Sequence, residues 1–145
     1  MRHLVKSAAA IPLLAAGALV GLLSGTATAA PTAPDALHAP SALVLTVGDG
    51  ASAATAVPLR AVTLTCGPQA AGSHPAAAAA CGELSAADGN FASIGTGGSD
   101  RFCPMVYDPV VVTATGVYDG RRVDFERTYG NPCEMGASGT AVFAF

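Results

Sequence analysis

Apolar and polar positions alternate cleanly in one stretch of this chain, residues 121–129. Val123, Phe125, Arg127 and Tyr129 fall on one face, and Arg122, Asp124, Glu126 and Thr128 on the other. That is the period of a half-buried strand. Before it, Asp119-Gly120 is a strong two-residue hairpin signal, and the branched run 110–118 precedes the turn. Ser41–Val47, stopped by Gly48-Asp49-Gly50, predicts another strand, as does the alternating Arg60–Cys66, stopped by Gly67-Pro68. Gly139–Phe145 predicts a last strand tucked into the sheet. Helical signals are fewer. Ser73-His74-Pro75 leads into an alanine run and Cys81, with Ser73 expected as N-cap, Pro75 in the first turn and Gly82 weakening the end, an extension through Glu83-Leu84-Ser85-Ala86-Ala87 being the alternative. Asn131–Met135 predicts one helical turn, and 89–100, with four glycines, a loop. An antiparallel sheet with short helices on one face is an α+β fold.

The first residues follow a different logic. Met1–Ser7 is basic, Ala8–Leu23 is uncharged and apolar, and Ala27-Thr28-Ala29 is a small-residue cleavage site. This predicts a secretory signal peptide over 1–29, because about 16 apolar residues fall short of a bilayer span. Residues 30–145 then form one domain, and 30–40, with three prolines, a flexible arm. Beyond residue 29 there are five Arg, no Lys and ten acidic residues. An acidic domain without a basic stripe predicts neither a nucleic-acid partner nor a membrane partner.

Candidate chemistry is sparse. After the leader only His38 and His74 remain, and no G-x-S-x-G occurs, so no hydrolytic constellation is expected. Asp124 and Glu126 read as a solvated face, and Asp88-Gly89-Asn90 lacks the further acids of a calcium loop. Four cysteines (66, 81, 103, 133) behind a signal peptide imply two disulfides, with three pairings open, rather than a metal site. No enzyme activity, no cofactor and no metal are expected.

One segment stands apart: Arg101-Phe102-Cys103-Pro104-Met105-Val106-Tyr107-Asp108-Pro109. Its bulky groups would also suit a strand buried in the core. The prolines at 104 and 109 weigh against that, since each removes a ladder donor. Pro104 also biases Cys103 towards extended backbone. A stiff, extended, apolar segment tied down at a cysteine has the form of a protease substrate held ready.

Cys103–Pro109 resembles the reactive-site loop of the Streptomyces subtilisin inhibitor family. Ala39–Gly48 resembles the family's first strand. Arg60–Cys66, His74-Pro75-Ala76-Ala77, Cys133-Glu134-Met135 and Val142-Phe143-Ala144-Phe145 are similar too, as are the cysteine spacings. Phe102 and Pro132 depart from the pattern. The resemblance implies a five-stranded antiparallel sheet with two helices, Cys66–Cys81 and Cys103–Cys133 disulfides, and a homodimer joined through its sheets. It implies a scissile bond at Met105-Val106; Arg101, Phe102, Cys103, Pro104, Tyr107 and Asp108, which flank that bond, are then expected against the protease. Asn131 would support the loop by hydrogen bonds. The expected function is a secreted, extracellular inhibitor of subtilisin-like serine proteases and, more weakly, chymotrypsin-like ones. A secreted binding module and a metalloprotease inhibitor acting through another surface are the alternatives.

Overall fold

The computed structural model describes residues 39–97 and 100–145, so the signal peptide expected over 1–29 and most of the arm expected over 30–40 lie outside the described residues. Five strands form one antiparallel sheet: β1 (Ala42–Asp49), β2 (Val57–Thr65), β3 (Ala71–Gly72), β4 (Val110–Tyr118) and β5 (Arg121–Tyr129). The spatial order is β3-β2-β1-β4-β5, which puts β1 at the centre. Two helices, α1 (Ala77–Ala86) and α2 (Pro132–Ala137), complete the α+β fold.

The hairpin forms where the sequence placed it. Asp119 and Gly120 take φ of 47° and 72°, the left-handed pair that matches strand twist. Leu43, Leu45 and Val47 of β1 alternate onto the core face beside Leu64, Val112 and Ala114. Ala80 and Leu84, one turn apart on α1, cover them together with Phe91, Ile94, Val142 and Phe143. The core also explains the charged residue on β5's apolar face. The guanidinium of Arg127 lies 5.2 Å from the Phe125 ring centroid and donates to the carbonyls of Phe91, Ala92 and Ile94. It thereby pins the 91–94 turn onto the sheet.

Three expectations are corrected. Ser73 does not cap α1. Its hydroxyl accepts from the Thr63 amide at 2.9 Å, and α1 begins after Ala76 without a side-chain cap. Pro75 accordingly precedes the helix rather than lying in its first turn; past Gly82 the alternative of an extended helix is the one that forms, and α1 runs on to Ala86. The segment 139–145 is not a strand; the fifth strand is the short β3 instead. The reason is competition for backbone groups. The Glu83 carboxylate accepts from the amides of Ala141 (2.7 Å) and Val142 (3.1 Å) and from the Thr140 hydroxyl (2.9 Å). Buried His74 lies 3.2 Å from the Val142 carbonyl through Nε2, while its Nδ1 accepts from the Ala76 amide. With Nδ1 accepting, Nε2 carries the hydrogen and donates. The segment is docked by side chains and buries Val142 and Phe143 without joining the sheet.

A Glu83→Ala variant is therefore expected to lose about 2–3 kcal/mol in equilibrium denaturation, since charge-assisted bonds to two amides and a hydroxyl disappear together. Denaturation at the wild-type midpoint would refute that anchoring role.

Candidate protease-facing loop

Residues 101–109 carry no regular secondary structure and leave the body of the protein between the 91–97 turns and β4. The buried-strand reading is thereby set aside. Phe102 and Met105 are as exposed as in an open chain (101% and 103%), Val106 and Tyr107 are 62% and 75% exposed, and Arg101, Pro104 and Asp108 also face solvent. Cys103 is half-buried in its disulfide. Four large apolar or aromatic groups displayed in six residues are unusual for a monomeric surface and mark an interaction site.

The loop is exposed yet heavily tied. The disulfides are Cys66–Cys81, which joins the end of β2 to α1, and Cys103–Cys133, which joins the loop to α2. Downstream, the Asp108 amide donates to the Gly130 carbonyl at 2.9 Å, and the Pro109 carbonyl accepts from the Gly50 amide at 2.9 Å. Between these anchors Asn131, itself 4% exposed, reaches under the loop. Its Nδ2 donates to the carbonyls of Pro104 (3.0 Å) and Val106 (3.1 Å). The carbonyls on either side of Met105 are thus held by a single amide group.

The amide's orientation is set by α2. Asn131 is the N-cap of that helix, in extended conformation, and its Oδ1 accepts from the Glu134 amide at 3.0 Å. A flipped amide would oppose donor to donor and acceptor to acceptors. Pro132 fits because it occupies the first helical turn, where a missing N–H leaves nothing unpaired. The Glu134 carboxylate in turn accepts from the Gly130 amide at 2.9 Å. Reading the residues for chemistry missed Glu134. The spacing Asn-x-x-Glu, a cap residue followed three positions on by an acid, is the signal that would have found it.

No cluster of three or more metal-ligating side chains occurs among the described residues, and all four cysteines are consumed in disulfides. His74 is buried, with its ring nitrogens engaged by the Val142 carbonyl and the Ala76 amide. The arrangement defines a class: a small disulfide-bonded scaffold that displays an exposed apolar loop tied down by a disulfide and by hydrogen bonds on both sides.

Comparison with known proteins identifies which such scaffold it is. The family model described as subtilisin inhibitor-like matches residues 39–131, and the chain belongs to that family. It is 60% identical over 124 residues to the subtilisin inhibitor of Streptomyces albogriseolus, covering 85% of each chain. It is 54% identical over 146 residues to the subtilase-type protease inhibitor of Streptomyces coelicolor, covering 100% of both. A trypsin inhibitor from Streptomyces longisporus is 51% identical over 146 residues, again with 100% of both covered. Among solved structures, Streptomyces caespitosus sermetstatin in complex with Bacillus licheniformis subtilisin matches with a TM-score of 0.69 and 45% identity, over 73% of this chain and 99% of that one.

Truncating Asn131 to Ala should destabilise the fold by about 2–3 kcal/mol, through the lost cap and two unpaired carbonyls. Asn131→Asp should be worse than Ala, because it turns a carboxylate oxygen towards those two carbonyls. Denaturant midpoints in the reverse order would contradict the geometry.

Proposed function

We propose that the chain is a secreted inhibitor of subtilisin-like serine proteases that offers Met105-Val106 as a decoy peptide bond. One observation carries the reading: Asn131 Nδ2 bonds the carbonyls of Pro104 and Val106 while the Met105 side chain between them stands free. Membership of a family whose relatives are named as protease inhibitors supports it, and the leader over 1–29 supports export.

The mechanism follows from the ties. A protease serine oxygen adds to the Met105 carbonyl carbon, whose oxygen enters the enzyme's oxyanion hole. Collapse breaks the Met105–Val106 bond, leaving an acyl-enzyme at Met105 and a free amine at Val106. In an ordinary substrate that amine departs and water completes hydrolysis. Here Pro104 lies on the acyl side and Val106 on the amine side, so the Asn131 amide holds both ends together, and Cys103–Cys133 prevents the acyl side from swinging out. The amine re-attacks, the peptide bond re-forms and the serine is released unchanged. Binding is tight because little conformational freedom is left to lose.

Met105 fills the primary pocket, and its unbranched, polarisable side chain adapts to a broad apolar one. Phe102, three residues upstream and fully exposed, offers a second apolar anchor. Titration of active subtilisin should show stoichiometric inhibition, with slow appearance of a new N-terminus at Val106. Met105→Lys should create trypsin inhibition by pairing with the buried Asp of that pocket. A sole cut elsewhere in the chain, or a Met105→Gly variant as potent as wild type, would eliminate this assignment.

We further propose a homodimer built on the sheet face turned away from the helices. Val44 (44% exposed), Thr46, Thr113 and Thr115 lie there, on the opposite face from Leu43, Leu45, Val112 and Ala114. Such a face of small and branched groups suits a second sheet. Sedimentation at micromolar concentration should give twice the monomer mass, and a stable monomer would remove the dimer.

A further inference from the structure

We propose that Glu134 is a positioning residue for the loop: its carboxylate fixes the 130–131 backbone, and through it the contacts that keep a cut loop closed. This rests on the reading of Met105-Val106 as the protease-facing bond.

Glu134 holds its neighbours from two sides. Its backbone N–H donates to Asn131 Oδ1 at 3.0 Å, and its Oε2 accepts from the Gly130 N–H at 2.9 Å. This is a capping box displaced by one residue, since the carboxylate reaches past the cap to the residue before it. The two residues so held supply the loop's central and downstream ties. Gly130 offers its carbonyl to the Asp108 amide, and Asn131 donates to Pro104 and Val106. Contacts on both sides of Met105-Val106 therefore issue from one dipeptide whose orientation Glu134 sets.

Gly130 gives independent support. A Cβ built there would lie 2.8 Å from Glu134 Oε2, so the carboxylate occupies the space a side chain would need. Glycine at 130 is what lets the carboxylate lie over the backbone. Glu134 is itself exposed, and the core contact of α2 is made by Met135. Removing the carboxylate should therefore loosen the loop without unfolding the protein.

The test compares wild type with Glu134→Ala and Glu134→Gln in the full mature chain, using subtilisin as the probe. Three quantities are measured: the rate of Met105-Val106 hydrolysis at saturating inhibitor, the inhibition constant, and amide hydrogen exchange at Asp108. Glu134→Ala should be hydrolysed about fivefold faster, the size expected for one lost helix cap. The inhibition constant should change less than the hydrolysis rate. Protection at the Asp108 amide should fall while β4–β5 amides keep theirs. Glu134→Gln retains a side-chain oxygen for the Gly130 N–H and should restore most of the slow rate. Gly130→Ala should mimic Glu134→Ala, and the double variant should add little to either.

The proposal is overturned if Glu134→Ala is cut at the wild-type rate, if Gln behaves as Ala does, or if faster cutting comes with lost protection across the whole sheet. A wild-type chain that neither inhibits subtilisin nor is cut at Met105-Val106 overturns the underlying reading, and this proposal with it. Wild-type behaviour with an unchanged variant fails this proposal alone.

Discussion

Three hydrogen bonds converge on the side-chain amide of Asn131. One arrives at its oxygen from the Glu134 backbone, and two leave its nitrogen for the carbonyls of Pro104 and Val106. Each bond alone is modest, worth about 1 kcal/mol. Together they exclude the flipped amide, because flipping would lose all three at once in a nearly buried place. The cap of a six-residue helix is thus converted into a fixed fork beneath an exposed segment. The loop's shape depends on that fork more than on any contact it makes with itself.

The rest of the fold can be read as the support such a fork needs. Prolines at 104 and 109 deny the segment a place in the sheet, so it leaves the ladder and must be held from outside. β4 takes up the chain directly afterwards, and β5 carries it back to Gly130 beside the place where the loop ended. The hairpin therefore delivers the supporting residues to the segment they support. Cys103–Cys133 closes the same circuit covalently, and Gly50, in the turn after β1, ties its downstream end. An exposed loop can be rigid when its neighbours on three sides belong to the sheet, a helix cap and a disulfide.

How much of this was legible in the sequence differs by element. The 110–129 hairpin was, down to its ends, because a turn with two left-handed residues and a clean two-residue period leave one register. The exposure of 101–109 followed from its prolines. Residues 139–145 misled because a run of branched and aromatic groups says only that a segment is buried, not which groups satisfy its backbone. That depended on Glu83 and His74, more than fifty residues earlier. Ser73 misled for a related reason: a hydroxyl before a helix serves as a cap only if no strand claims it, and Thr63 did. The disulfide pairing and the role of Asn131 came from family resemblance. Composition left three pairings open, and nothing local to Asn131 announces contact with a segment twenty-five residues away.

The central place of β1 has a consequence for the order of assembly. β1 is the first strand in the chain, yet it pairs along its whole length with β4, whose residues come some seventy positions later. Its inner face is completed by Val142 and Phe143, later still. A partial chain emerging from the ribosome can form the β1–β2 pair, but that pair's apolar surface stays uncovered until Val142 and Phe143 are present. Contacts so distant in sequence close slowly. Gly130, Asn131 and Cys133 of α2, which tie the loop, are also downstream of it, so the loop takes its shape only after the C-terminal part of the chain has joined the sheet.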